Sequence, residues 1–438
     1  MGDLAGYRGR ALAFLRKAGA SVGDVLEVRT DWGTVSGTLV PRYASGDEDH
    51  IVVKLSSGYN VGLGVASLKG AEVKAKGKKP SFAAPPEPTK REGLSRVLVI
   101  GTGGTIASRI DYRTGAVRPA VTAAELYALV PELAEAARVE PEILFNILSE
   151  NVEPSHWTAL ADRVARAVRE GYEGVVVMHG TDTMGYTAAA LSFALKGVPF
   201  PVVLVGAQRS PDRPSSDAAL NLIGGVSVAA AAGFAGVFVA MHLDGSDGEV
   251  AIHMGTRVRK NHTSARSAFE SIGVPLAAVW SPGGLEDVRE GLPRRGGAGP
   301  FKPRTKFDGR VALLKFYPSM PVALLRSAER SGAKCLILEG TGLGHVNKGC
   351  IGFLRGYTKR GGTAFMTSQC INGRVDLNVY ETGADLLEAG VVPLGDMLAE
   401  TALVKAMWAL GNERSKKGLV DSMAANLAGE LTERSVPA

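Results

Sequence analysis

Residues 97–107 read VLVIGTGGTIA, and this stretch decides the fold. Val97, Leu98, Val99 and Ile100 form a short apolar run of the kind that makes a buried parallel strand. Gly101, Thr102, Gly103, Gly104 and Thr105 follow, so the chain turns tightly at the strand's C-terminal end. Ligands of open α/β sheets bind at that end. A glycine-rich turn there commonly cradles phosphate, but this one has neither GxGxxG spacing nor a Gly-Lys-Ser/Thr ending. It carries two hydroxyls instead, Thr102 and Thr105, and a hydroxyl on a tight loop above a parallel sheet suggests nucleophilic catalysis.

The chain around this turn has 438 residues, room for two or three domains, and is 45% hydrophobic, enough for a large core. Its 55 glycines fit the many tight turns of a layered α/β protein. Residues 1–20 mix charges and lack the apolar core of a secretory signal. No apolar run approaches the length of a membrane span, about 18 residues. Cys335, Cys350 and Cys370 are odd in number and without metal-ligand spacing, which favours reduced thiols in a cytoplasmic protein. A net charge of +6 allows contact with a polyanion without implying it.

Upstream of the turn, residues 1–20 carry a helical stripe (Leu4, Tyr7, Leu12, Leu15, Ala18). Short strand-like runs follow at 25–29, 35–40, 51–55 and 61–65, punctuated by Gly, Asp and Ser. Residues 1–74 therefore read as a helix plus a small all-β barrel. Residues 75–95 form a basic, Pro-rich linker. From 96 to 285, strands such as 174–178, 202–205 and 235–241 alternate with helical stretches such as 157–170, predicting a parallel sheet covered by helices. Residues 286–308 read as a second linker. Residues 309–438 repeat the α/β pattern, with a strand at 336–338 and a helix at 400–410.

Two further segments carry chemistry. In VVVMHGTDTM, residues 175–184, another apolar strand runs into a turn bearing Thr181, Asp182 and Thr183. Threonine and aspartate are also good helix N-caps, and the turn by itself fits either reading. Two strand-to-hydroxyl turns on neighbouring strands would open onto one cleft. The third segment is RVRKNHTSARSAF, where Arg257, Arg259 and Arg266 surround Lys260. The run reads either as a solvated basic face or as the setting of a lysine that takes a proton from a threonine hydroxyl. In the second case Thr, Lys and Asp form a set that follows the logic of a Ser–His–Asp triad.

TGGTIA (102–107), HGTDTM (179–184), GAQR with SSDAALNL (206–209, 215–222), Lys260 nine residues before Phe269, and TSQCINGRVDLNVYETG (367–383) together resemble the bacterial-type L-asparaginase/glutaminase family, in the same order along residues 96–438. The resemblance implies a two-domain α/β fold and hydrolysis of a side-chain amide. It implies Thr105 as nucleophile, Thr181 and Asp182 as the second threonine and its carboxylate partner, and Lys260 as the lysine bonded to them. Tyr112 corresponds to the family's mobile-loop tyrosine. Ser149 and Glu150 stand where substrate α-carboxylate and α-amino groups are held, Glu150 replacing a frequent glutamine. Gly104 and Gly180 would line the substrate. Thr102 is left to shape the turn. Leu343 and His345 replace asparagines found near the site in some secreted members. His345, His179 and His262 read as structural histidines, and no metal cluster is expected. The chemistry is consistent: amide attack builds an oxyanion that backbone N–H groups of a glycine-rich turn stabilise, and no cofactor is required.

The N-terminal helix, β-barrel and basic linker, with GAQRSPDRPSSDAALNL and SENVEPSHW, narrow the resemblance to the D subunits of archaeal glutamyl-tRNA(Gln) amidotransferases. That implies release of ammonia from glutamine or asparagine, passed to an E subunit that uses ATP and Mg to amidate Glu-tRNA(Gln). It also implies a D₂E₂ assembly around a D-subunit homodimer, with tRNA(Gln) held mainly by the partner. A free-standing L-asparaginase with an accessory β-domain is the alternative. A non-catalytic adaptor would be free to lose the reactive set, which is present.

Overall fold

The computed structural model describes residues 4, 6–42, 47–55, 60–77, 93–104, 108–111, 116–119, 122, 126–127, 130–210, 216–297 and 299–435. Thr105 and Tyr112 lie outside them. The N-terminal stripe forms α1 (Gly9–Lys17), which buries Ala11 and Leu15. The four expected strands are β1 (Val25–Thr30), β2 (Gly33–Leu39), β3 (His50–Lys54) and β4 (Asn60–Gly64). A fifth, β5 (Leu68–Ala75), has no clean alternation of buried and exposed residues, so its sequence does not announce it. The antiparallel order β4-β3-β2-β1-β5 puts β4 and β5 at opposite edges. A single 3₁₀ turn, Val65–Ser67, joins those edges. Such a turn rises about 2 Å per residue, whereas a flat five-stranded sheet would hold its edges about 19 Å apart. The sheet must therefore curl, and it does so around a core of Leu15, Leu26, Val28, Ile51 and Val53.

The second block begins with β6 (Arg96–Gly101), followed by the separate ladder of β7 (Ser108–Asp111) and β8 (Ala116–Pro119), the one-turn α2 (Leu133–Ala136) and β9 (Arg138–Ile143). Then come α3 (Pro154–Arg169), β10 (Gly174–Met178), α4 (Met184–Ala194), β11 (Pro201–Val205), α5 (Ala218–Ala231) and β12 (Gly236–His242). β13 (Val250–Met254), the hairpin of β14 (Val258–Lys260) with β15 (Phe269–Ser271), β16 (Ala278–Ser281) and β17 (Gly284–Glu286) complete it. The main sheet runs β17-β16-β13-β12-β11-β10-β6-β9. From β9 to β12 it is parallel, as expected. From β12 to β17 it is antiparallel, so the sheet is mixed. The reason is length: a parallel crossover needs a dozen or more residues, and only residues 243–249 join β12 to β13.

The near-continuous apolar runs follow from burial on both faces. Leu98, Ile100, Val175 and Val177 pack with α3 and α4. The intervening Val97, Val99, Val176 and Met178 pack with α5 on the other face. The described residues of 287–310 contain no helix or strand, yet Arg295 pins them by donating to the carbonyls of Glu173, Ala229 and Ala232.

The last block is a four-stranded parallel sheet, β18 (Val311–Lys315), β19 (Cys335–Gly340), β20 (Thr363–Ser368) and β21 (Val391–Pro393). Its helices are α6 (Val322–Arg330), α7 (Lys348–Lys359), α8 (Glu381–Glu388), α9 (Ala399–Asn412) and α10 (Lys416–Ala424). α9 packs against α4, with Trp408 beside Phe193, so one core spans both large blocks. Cys335 and Cys350 are buried free thiols and Cys370 is exposed. No helix among the described residues is long and apolar enough to cross a membrane.

Candidate active site

β6 and β10 are parallel neighbours in register, Gly101 opposite Met178, so their C-terminal turns lie side by side. The first turn needs its glycines. Gly103 and Gly104 take φ of +120° and +81°, and a Cβ on Gly103 would fall 2.0 Å from the Ile147 carbonyl oxygen. A Cβ on Gly104 would fall 2.9 Å from the Gly180 nitrogen. The residue before Thr105 thus touches the residue before Thr181. Thr102 donates its hydroxyl and its N–H to the Met178 carbonyl, stitching the two turns together in the shaping role read from sequence.

The second turn follows β10, whose five residues are all buried. A Cβ on Gly180 would fall 2.7 Å from Ser149 Cβ, so glycine lets Ser149 close over the turn. A Cβ on Gly206, after β11, would likewise strike the Thr181 methyl at 2.7 Å. Thr183 occupies the N-cap position of α4 but makes no side-chain cap bond. Its hydroxyl donates to the Ser149 carbonyl at 2.7 Å. The capping reading of this turn therefore fails, and its hydroxyls are used elsewhere.

Lys260 ends β14, paired with the buried Phe269 on β15. Its Nζ donates to Thr181 Oγ1 at 3.0 Å and to Asp182 Oδ1 at 2.7 Å. Lys260 is largely enclosed, while Asp182 is 70% exposed. The flanking arginines point to the C-terminal block: Arg257 is fully buried against Asp396, and Arg259 pairs with Glu400 at 2.8 Å. Arg266 ties to Asp247. The run is thus a set of committed cations rather than a solvated basic face, and of these four Lys260 is the one bonded to the second turn.

Ser149–Asn151 form a 3₁₀ turn beside Gly180, with Ser149 buried and Glu150 exposed. The structure thus brings together Gly104, Ser149, Glu150, Gly180, Thr181, Asp182 and Lys260. His345 stays in its own block, bonded to Thr382 and edge-on to Tyr380. His262 is exposed and accepts the N–H groups of Ser264 and Ala265. Sequence reasoning missed the tether from Thr183 to Ser149 and the setting of His179, which is buried and bonded to the Gly180 carbonyl at 2.7 Å. Burial pushes its imidazole down to about 4, so it is neutral at physiological pH. Neither was readable locally, since the Ser149 and Thr187 partners lie on other elements. No group of three or more His, Cys, Asp or Glu placed to hold a metal occurs among the described residues.

Comparison with known proteins places the chain's domains in known families. Residues 96–288 match the family Asparaginase, N-terminal; residues 310–423 the Glutaminase/Asparaginase C-terminal domain; and residues 20–73 the GatD N-terminal domain. The chain is 46% identical over 434 residues to the glutamyl-tRNA(Gln) amidotransferase D subunit of Pyrococcus furiosus, covering 98% of this chain and 99% of the relative. The corresponding D subunit of Metallosphaera sedula is 48% identical over 434 residues, covering 98% and 97%. Among solved structures, the thermostable L-asparaginase from Thermococcus kodakarensis superposes with a TM-score of 0.69 at 35% identity, covering 77% of this chain and 99% of that one. L-asparaginase I from Vibrio cholerae superposes at 0.66 with 26% identity, covering 78% and 100%.

Proposed function

The chain belongs to the family of glutamyl-tRNA(Gln) amidotransferase D subunits, and we propose on that premise that it is the glutaminase half of such an enzyme, releasing ammonia for a partner subunit. The observation that carries the reading is Lys260 Nζ, bonded at once to the Thr181 hydroxyl and the Asp182 carboxylate beside the Gly104–Gly180 contact. A threonine hydroxyl is a weak nucleophile and needs such a base.

In this reading Thr105 attacks the side-chain amide carbon of glutamine or asparagine. A C–O bond forms, the C–N bond breaks, and the hydroxyl proton leaves on ammonia. Lys260, oriented by Asp182, moves protons through Thr181. Water then cleaves the ester to free the acid. Tyr112 supports the first threonine. Ser149 and Glu150 hold the amino-acid end of the substrate, Glu150 through an α-ammonium. Gly104 and Gly180 leave room for it, and backbone N–H groups of the two turns, with the positive end of α4, receive the oxyanion. This half-reaction needs no cofactor.

The partner is an E subunit that uses ATP and Mg to activate the carboxylate of Glu-tRNA(Gln). The assembly is D₂E₂ and cytoplasmic, with tRNA(Gln) held mainly by E. The test is the rate of ammonia release from glutamine by this chain alone, with E, and with E plus Glu-tRNA(Gln). Weak release alone and strong release with both is expected. Full turnover by the isolated chain, unchanged by partner and tRNA, would assign it to the free asparaginases instead.

A further inference from the structure

Beneath the second turn runs a line of hydrogen bonds that none of these steps uses. Trp157 Nε1 on α3 lies 3.0 Å from Thr187 Oγ1 on α4. Thr187 Oγ1 lies 3.0 Å from His179 Nε2, and His179 Nδ1 lies 2.7 Å from the Gly180 carbonyl oxygen. Trp157, Thr187 and His179 are all buried.

Chemistry fixes the direction of every bond. A carbonyl oxygen only accepts, so Nδ1 carries the hydrogen. An indole N–H only donates, so Thr187 accepts from Trp157; the buried ring is neutral with its hydrogen on Nδ1, so Nε2 is an acceptor and takes the Thr187 hydrogen. One arrangement satisfies all four groups: a neutral imidazole, hydrogen on Nδ1, at the end of a one-way relay from Trp157 to Gly180.

The relay ends on the peptide that leads into Thr181. A trans peptide is planar, so the Gly180 C=O and the Thr181 N–H point in opposite directions. Drawing that carbonyl toward the layer of α3 and α4 turns the Thr181 N–H away from it. That N–H meets no acceptor among the described residues. The hydroxyl of the same residue is the one bonded to Lys260. Gly180 has no side chain of its own to anchor it, and Gly104 and Ser149 lie close against it.

We propose that Trp157, Thr187 and His179 are positioning residues that lock the Gly180–Thr181 peptide, so that the Thr181 N–H and hydroxyl stand together toward the reacting amide. The relay acts through backbone and touches no substrate. Its kinetic side rests on the glutaminase reading above, whereas the histidine tautomer does not depend on it.

The tautomer is the first measurement. In the ¹⁵N-histidine-labelled chain, imidazole correlations should show His179 neutral with its hydrogen on Nδ1 from pH 6 to 8. Hydrogen on Nε2 would overturn the relay. The second measurement is glutamine turnover by the complex with E and Glu-tRNA(Gln). His179→Leu keeps bulk and removes the donor, and kcat should fall about 10²-fold, as misplacing a reacting group does, with KM moving less than about threefold. His179→Asn puts an amide nitrogen near the Nδ1 position and should recover most of that loss. An unchanged kcat in His179→Leu, or an equal loss in both variants, would overturn the proposal. Should His179→Leu fail to fold, Thr187→Val against Thr187→Ser decides it: the relay requires a loss in the first and recovery in the second. A wild-type complex that releases no ammonia would instead overturn the glutaminase reading and leave the tautomer result standing.

Discussion

Two lysine–carboxylate pairs in this chain have the same chemistry and opposite fates. Lys405 and Glu430 pair at 2.5 Å, both fully buried. Lys405 also donates to the Met423 and Ala425 carbonyls, and Glu430 accepts the N–H groups of Leu427 and Ala428. Every hydrogen of the ammonium has an acceptor, so the pair only ties the C-terminal segment to α9. Lys260 and Asp182 pair at 2.7 Å with the carboxylate mostly in water, and the second bond of the lysine goes to a hydroxyl. A saturated shell makes a structural pair. An open one suits the proton transfer proposed for Lys260.

The sharpest way to break this contrast is to remove each lysine and ask what is lost. Lys260→Met should lower ammonia release by about 10⁴-fold, the scale of losing one member of a catalytic set, with the urea midpoint nearly unchanged. Retained turnover would dismiss Lys260 from the mechanism. Lys405→Met should do the reverse. It strands Glu430 in the core, and stability should fall by about 3–5 kcal/mol while surviving folded protein keeps its turnover per molecule. A loss below about 1 kcal/mol, read from urea unfolding, would mean that water reaches Glu430 and that the pair is not closed.

The same contrast explains what the sequence could tell. Lys260 was legible because it and the HGTDTM turn each sit in a short recognisable motif, although 79 residues separate it from Thr181. The apolar strands β6, β10 and β11 were legible because burial on both faces leaves uninterrupted Val, Leu and Ile. Lys405 and Glu430 gave no signal, since a lysine in a helix and a glutamate in a tail ordinarily face water. The antiparallel half of the main sheet was missed because three- to five-residue strands without alternation look like loop. Arg257 read as a surface cation because its partner Asp396 is far along the chain. The relay under Gly180 spans α3, α4 and β10, and no spacing in the sequence joins them.

Buried histidines carry the contrast into pH dependence. His179 has both ring nitrogens bonded. His253 bonds Ser271 through Nδ1, while its Nε2 is buried with no acceptor among the described residues. Burial pushes both down to about 4, below the unfolded value near 6.5. The unfolded chain therefore binds more protons in that window, so the stability they confer is complete above about pH 6.5 and is lost as pH falls toward 4. Each should contribute about 2 kcal/mol of lost stability between pH 7 and pH 5. Urea unfolding of wild type and His253→Asn at the two pH values should show that difference shrink by about one histidine's share. An unchanged difference would mean that His253 charges in the folded protein.

The smallest effect is the most diagnostic of the open pair. Asp182→Asn removes the charge that faces Lys260 and keeps the side chain's shape. The carboxylate is 70% exposed, so water and salt already screen most of its attraction to Lys260. Exposed pairs contribute about 0–1 kcal/mol, and the change in stability should stay within that range and shrink further as salt is raised. The rate of ammonia release should nonetheless fall, because the lysine loses the charge that holds it against Thr181. A stability loss as large as that of Lys405→Met would make Asp182 part of the core's support and erase the distinction between the two pairs. A rate loss without a stability loss would leave Asp182 oriented toward chemistry alone, which is the role its exposure permits.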